Sequence, residues 1–324
     1  MSFWQRWVEA TSSREDATSL ALFRIGMGLG VLYTVGTVVL RGLVPVLWID
    51  RDFGGMRDLG EGPWLVAMLG GPSPDVVWPL VIGSLIGGVL LTLGLGGRLM
   101  ALVTLLVTTN VVDLNGHAGG SYDELLSNGL WLCVLAGGEA TLSVSAWLEH
   151  RRWWPSVEVV AFPRWLAGWQ LVLMYGATGL QKVSAYWVPG GESSALYYIL
   201  QQPSWHRTDM SWIAYVFPLT QLATTITWIW EVTAPLWLLA VWWAAQPKPV
   251  GRLAAWSNQI KLRWIFMGIG LSMHLVIFVT MDVGPFSFLS VAFYTVMVHP
   301  HEWRALPSLL AGSTLRSPLP EPRG

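Results

Sequence analysis

The sequence predicts an all-α fold, a polytopic transmembrane helical bundle of about eight spans within a range of seven to nine. Only 12% of the 324 residues are charged, whereas soluble domains carry about 25%. Eight apolar stretches reach or approach the length that a helix needs to cross a bilayer. The 22 tryptophans suit the aromatic belts at the two membrane faces. The lipid bilayer is therefore the expected partner, and a formal charge of −1 gives no reason to expect nucleic acid.

No soluble domain fits between the predicted spans, so we expect them to form a single transmembrane domain over residues 18–303. A cytoplasmic segment over 1–17 precedes this domain, and a disordered cytoplasmic tail over 304–324 follows it. Two stretches rich in Gly, Pro and Trp, 44–72 and 187–210, are too polar to span and predict interfacial or partly re-entrant segments. The spans themselves are predicted at about 18–40, 76–97, 99–114, 123–141, 164–185, 217–244, 264–282 and 284–299.

The distribution of basic residues predicts the topology. With eight spans and a cytoplasmic N-terminus, thirteen Lys and Arg residues fall on the cytoplasmic side and four on the other side. Cytoplasmic loops of membrane proteins carry such an excess. We therefore expect both termini in the cytoplasm, a multi-pass location in the cell membrane, and Lys182 near the extracytoplasmic end of the fifth span.

Four ionisable residues stand out inside the apolar stretches: Arg24, Lys182, Glu231 and His274. A charge at the bilayer centre costs at least about 2.5–3.5 kcal/mol, so such residues tend to face the bundle interior or a wet cavity. Polar stripes on three successive spans predict a shared internal cavity, although interhelical hydrogen-bond seams would give the same pattern. The stripes are Tyr175, Thr178, Lys182 and Tyr186; Gln221, Thr224, Trp228, Glu231 and Pro235; and Gly270, His274, Phe278 and Asp282.

Each of these residues also has an alternative interpretation as a structural residue. Arg24 and Glu231 lie on spans that run in opposite directions and predict a structural intramembrane ion pair. Lys182 lies close enough to the interface to extend its amine outward to water. His274 could be a hydrogen-bonded core histidine.

The outer loop "DLNGHAGGSYDELL" brings His117 and Tyr122 near the mouth of the expected cavity. It has no spacing typical of zinc ligands, and the sequence has no P-loop, dinucleotide fingerprint or nucleophile elbow. We therefore predict no metal site. The single cysteine, Cys133, excludes an intrachain disulfide.

The segment "YGATGLQKVSAYWVPG" resembles the signature of the HTTM domain, the membrane module of the vitamin K-dependent gamma-carboxylase family. The resemblance extends in order over nearly the whole chain. It includes "LALFRIGMGLGVLY", "DLNGHAGGSYDELL", "WEVTAPLWLL" and "MHLVIFVTMDVGPFSFLSVAFYTVMVHPHEW".

This resemblance implies reduced vitamin K, in bacteria a menaquinol, as the cofactor and Lys182 as the base that takes a proton from it. Burial in an apolar pocket would leave the amine neutral enough for that step. The oxygenated product would then drive a proton abstraction elsewhere. His117 would hydrogen-bond the quinone oxygen or the developing anion, and we expect the cofactor to contact Tyr175, Trp187, Tyr122 and His274.

The sequence resembles a short form without the large lumenal domain that holds protein substrates in the carboxylase. The expectation is thus quinol-dependent oxygenation or proton abstraction, with a lipid-soluble quinone as the partner molecule. Two alternatives stay open. The protein could be a non-enzymatic accessory for maturation or export of a secreted peptide, or a transporter, although transporters more often show broken helices or internal symmetry.

Overall fold

The computed structural model describes residues 3–310 of the chain, and within them it is mostly helical. Two three-residue strands, β1 (Arg14–Asp16) and β2 (Glu158–Val160), pair antiparallel. Six short 3₁₀ helices lie at Arg51–Phe53, Asp113–Asn115, Gly138–Ala140, Pro203–Trp205, Ser211–Tyr215 and Thr295–Met297. The α-helices are α1 (Phe3–Ser12), α2 (Thr18–Leu40), α3 (Val44–Trp48), α4 (Trp64–Met68), α5 (Pro74–Leu93), α6 (Gly97–Val112), α7 (Ser121–Leu135), α8 (Val144–His150), α9 (Phe162–Gln181), α10 (Ala195–Leu200), α11 (Phe217–Val232), α12 (Ala234–Ala244), α13 (Arg252–Gln259), α14 (Leu262–Thr280), α15 (Phe286–Tyr294) and α16 (Pro300–Leu310).

The predicted all-α class is confirmed, and each of the eight predicted spans coincides with a helix or a helix pair. In the described residues, four helices are long and apolar enough to cross a membrane: α2, α5, α6 with the turn after it, and α14. A fifth is reached if the bent pair α11 and α12 is taken as one span. Several apolar helices are therefore suited to a bilayer, while the total of eight spans and the orientation of the termini stay predictions.

The first half of the chain packs around α2. Its buried residues include Phe23, Met27 and Val31, and Phe23 meets Phe293 of α15 edge-on, with ring centroids 4.9 Å apart. Small residues allow the close approach, because a side chain at Gly26 would place its Cβ 2.6 Å from the Cβ of Ala292. Small residues at a helix contact allow this kind of close packing between membrane helices.

Charged groups gather at the end of the bundle where β1, α9 and α16 meet. Arg304 bonds to Asp16, and Arg164 to Glu15. Burial acts to raise the pKa of Asp16, but hydrogen bonds from Thr18 and Arg304, with a smaller one from Ser156, outweigh it and lower the pKa. These contacts also explain why part of the segment 304–324, predicted as a disordered tail, is helical. The chain is still helical at 304–310 because Arg304 anchors α16, whereas 311–324 lie outside the described residues.

The second half of the chain contains a bent pair of helices. α11 and α12 meet at an angle of 59°. Pro235, near the start of α12, has no N–H to donate to the carbonyl of Glu231 four residues earlier, which breaks the helix at this point. Near this bend, the indole N–H of Trp230 in α11 donates to the carbonyl of Phe266 in α14 over 2.9 Å, and a cavity lies between α9, α10, α11 and α14.

Candidate functional site: an ion pair in an apolar cavity

Lys182 follows directly after the last residue of α9. Its backbone leaves the helical conformation, with φ −81° and ψ 68°, and its N–H still donates to the carbonyl of Gly179. The indole N–H of Trp228 donates to the carbonyl of Lys182 over 3.1 Å. The end of α9 is therefore fixed against α11, and the lysine side chain has a defined starting point.

The side chain of Lys182 pairs with the carboxylate of Glu231. Its Nζ lies 2.6 Å from both Oε1 and Oε2. The lysine side chain is 20% exposed and the glutamate side chain 7%. Gly179 allows this approach, since a Cβ there would lie 2.7 Å from the backbone nitrogen of Val232 and 2.8 Å from the Cβ of Glu231.

The predicted ion pair between Arg24 and Glu231 is wrong. The Arg24 guanidinium is buried between α2, the end of α5 and the turn after α7, where it donates only to backbone carbonyls. Its acceptors are the carbonyls of Gly138, Leu91, Thr92 and Leu142. Arginine suits this position because its five N–H groups can reach several acceptors at once.

Lys182 and Glu231 lie in the wall of a cavity of about 890 Å³ between α9, α10, α11 and α14. They are the two charged residues of its lining, which is otherwise made mostly of aliphatic and aromatic side chains. The volume lies within the range of about 300–1,000 Å³ that is usual for small-molecule sites. An apolar chamber with one polar pair in its wall is suited to a ligand with a small polar group on an apolar body.

Two of the predicted cofactor contacts border this cavity. Trp187 lies beside the ion pair, with the Nζ of Lys182 4.2 Å from the centroid of its indole ring. Tyr175 contributes to the cavity wall, and its hydroxyl lies 2.5 Å from Nε2 of His274 and 3.2 Å from the hydroxyl of Tyr294. His274 itself is 1% exposed and sits behind Tyr175, so it reaches the cavity only through the tyrosine.

The other predicted residues of the outer loop lie elsewhere. Tyr122 borders a separate cavity of about 260 Å³. His117 borders neither of these two cavities, and its backbone N–H donates to the side chain of Asn115. The two cavities are nevertheless adjacent, because Ser121 lines the large one and Tyr122 the small one.

The sequence did not point to two glycines that shape the site. Gly179 brings α9 against Glu231, and Gly268 of α14 lines the cavity with no atom within 4 Å of where its Cβ would be. Sequence reasoning could have identified Glu231 as the partner of Lys182, since both residues belong to the predicted polar stripes. Within residues 3–310 no group of three His, Cys, Asp or Glu side chains could hold a metal ion.

No family model, curated protein or solved structure matches this chain. The resemblance to the HTTM domain therefore stays a prediction from the sequence segments alone.

Proposed function

We propose that this protein is a multi-pass cell-membrane protein of the HTTM type that binds a lipid-soluble hydroquinone and removes a proton from it. The observation that carries the proposal is the Lys182–Glu231 pair in the wall of a large apolar cavity. In the proposed topology the chain crosses the membrane eight times and both termini are cytoplasmic. The excess of basic residues on the cytoplasmic side and the eight helical regions support it.

The cavity lining fits a naphthohydroquinone. Its apolar walls suit a hydrocarbon ring and chain, and the face of Trp187 beside Lys182 offers a flat surface against which a ring can stack. The ion pair supplies both a donor and an acceptor for a hydroxyl group. When bound, such a group supplies two ionisable hydroxyls and two electrons for reduction of oxygen.

Lys182 and Glu231 act together on the proton. The ammonium passes one proton to the carboxylate, which leaves a neutral amine beside a neutral carboxylic acid. The lone pair on Nζ then accepts a proton from the hydroxyl of the ligand, and the ammonium is restored. The apolar lining keeps water away, which strengthens the electrostatic contacts inside the site.

The test uses the purified protein in detergent micelles or liposomes, with menaquinol as the ligand and oxygen consumption as the readout. We expect turnover by the unchanged protein and a loss of about 100-fold or more in Lys182→Ala, the usual effect of removing a general base. Lys248→Ala is the matched control, because Lys248 is an exposed lysine of the α12–α13 connection. It should leave turnover unchanged.

The proposal fails if the unchanged protein neither binds menaquinol nor consumes oxygen with it. Turnover at the normal rate in Lys182→Ala, with gel filtration showing a folded protein, would remove Lys182 from the reaction. Copurification with a secreted peptide that is unaffected by Lys182→Ala would favour the accessory function instead.

A further inference from the structure

The short helix α13 lies at one end of α14. Only Ile260 and Lys261 separate the two helices, and α14 is one of the helices long and apolar enough to cross a membrane. Exposed tryptophans gather at the same level, with Trp242 in the last turn of α12, Trp256 in α13 and Trp264 in the first turn of α14. Tryptophans are enriched where a membrane meets water. α13 is therefore positioned at the surface of a bilayer that α14 crosses.

α13 has a buried face and an exposed apolar face. Ala254 and Ser257, three residues apart, are buried where the helix packs against α12 and α14. Leu253 and Trp256, also three residues apart, are 70% and 54% exposed. Contact with water disfavours so much apolar surface, whereas the acyl chains at the boundary of a bilayer cover it. The exposed face therefore suits a helix that lies in the membrane interface.

Basic residues lie at both ends of this exposed face. Arg252 is the first residue of α13 and Lys261 follows the helix, and both are exposed. Neither side chain has an acidic partner among the described residues, whereas Arg263 nearby pairs with Glu302. The sequence has no Asp or Glu over residues 232–281. Two positive charges are thus left uncompensated at this surface and attract anions.

We propose that Arg252, Leu253, Trp256 and Lys261 form a surface that binds anionic phospholipids. Leu253 and Trp256 lie among the acyl chains, and the two basic side chains bind the phosphates. Gly251 offers no side chain to cap the N-terminus of α13, whose backbone N–H groups also favour an anion.

The headgroup charge decides between lipid classes at this surface. The choline of a zwitterionic lipid is positive, so Arg252 and Lys261 repel it, whereas an anionic headgroup carries no such group. None of the four residues of the surface lines the cavity of about 890 Å³. Lipid binding here is therefore independent of the proposed proton transfer.

The test measures which lipids contact α13 in liposomes that contain the full chain. Photoreactive phosphatidylglycerol and photoreactive phosphatidylcholine with identical acyl chains are compared at the same trace concentration, and mass spectrometry quantifies labelled peptides that contain α13. We expect about tenfold more labelling by phosphatidylglycerol at low salt, because each basic side chain adds to the attraction. The excess should fall at high salt, which screens exposed charges.

The paired substitution Arg252→Gln with Lys261→Gln should reduce this excess to about twofold or less. Arg151→Gln with Arg152→Gln is the matched control, because it also removes two exposed positive charges, but from the connection between α8 and β2. The control should keep the excess. Equal labelling by the two lipids in the unchanged protein, or an excess that survives the first paired substitution, would overturn the proposal. An equal fall in both paired variants would also overturn it, since net charge would then explain the preference.

A second pair of substitutions separates the apolar contacts from the charges. Leu253→Ser with Trp256→Ser should lower the labelling of α13 by both lipids and keep their ratio, because it removes the face that lies among the acyl chains. Gel filtration checks that each variant is folded. Unchanged labelling in this variant would contradict the insertion of α13 into the interface. Cross-links between two copies of the chain through α13, in place of lipid labelling, would identify a protein interface and overturn the proposal.

Discussion

Arg24 and Lys182 are both basic residues in apolar segments, and the two regions that hold them use the charge differently. Arg24 is 3% exposed and donates to four backbone carbonyls where α5 and the turn after α7 end. Lys182 donates to one carboxylate and borders a cavity of about 890 Å³.

The difference separates a buried charge whose role the fold explains from one whose role it does not explain. Carbonyls at helix ends need donors, and Arg24 supplies them, so its role is explained by the fold alone. The Lys182–Glu231 pair satisfies no backbone group through its charged atoms and lies where a ligand can reach it. The two residues differ in the type of acceptor and in the neighbouring space, and these differences go together with the deeper burial of Arg24.

The largest effect on stability is expected from Arg24→Met. The change leaves several buried carbonyls without donors, and each costs about 1–3 kcal/mol, so the free energy of unfolding should fall by more than about 4 kcal/mol. Equilibrium unfolding in mixed micelles measures this. A loss below about 1 kcal/mol would mean that the hydrogen bonds from Arg24 to these carbonyls contribute little to stability.

A smaller loss is expected when the ion pair is broken on one side. Lys182→Met leaves the buried carboxylate of Glu231 unpaired, which should cost about 3 kcal/mol, and removing both charges in Lys182→Met with Glu231→Leu should recover most of it. The double-mutant cycle from the same unfolding measurement gives the coupling. Additive losses would contradict a direct pair.

Alanine substitutions at the two glycines of the site compare a closely packed position, Gly179, with an open one, Gly268. Gly179→Ala forces a Cβ against Glu231 and Val232 and should cost about 1–3 kcal/mol. Gly268→Ala meets no neighbour and should stabilise α14 by up to about 1 kcal/mol through helix propensity. The comparison fails if both substitutions shift the unfolding free energy in the same direction.

The smallest effect on stability is expected from the buried hydrogen bonds behind the cavity wall. Tyr175→Phe removes one hydroxyl bonded to His274 and Tyr294, and the stability should fall by about 1 kcal/mol. His274→Phe is the reciprocal change and should give a loss of similar size. No change in either variant would indicate that this buried network contributes nothing to stability.

Much of the scaffold could be predicted because helix formation in apolar segments depends on local composition. The helices at Thr18–Leu40 and Leu262–Thr280 lie within two residues of the predicted spans. The second span was predicted too long, since the helix ends at Leu93 and Gly94 adopts φ 68°. Glycine there turns the chain toward α6, a feature that hydropathy alone does not reveal.

The site was predicted less completely. Lys182, Trp187 and Tyr175 do border one cavity, but His117 and Tyr122 do not join them. Sequence order brought the outer loop close to the expected mouth, whereas the start of α7 separates the two chambers. The prediction that Arg24 pairs with Glu231 was wrong for a related reason. The opposite directions of two spans and a similar depth in the membrane are compatible with several partners for one charged residue.

The amino-acid sequence by itself determined which segments are apolar, that they form helices, and which few charges lie within them. The tertiary structure decided which charge meets which partner and whether space remains beside it. Those outcomes depend on contacts between distant segments. The absence of a side chain at Gly179 brings Lys182 to Glu231, and Trp230 joins α11 to α14 by donating to the carbonyl of Phe266.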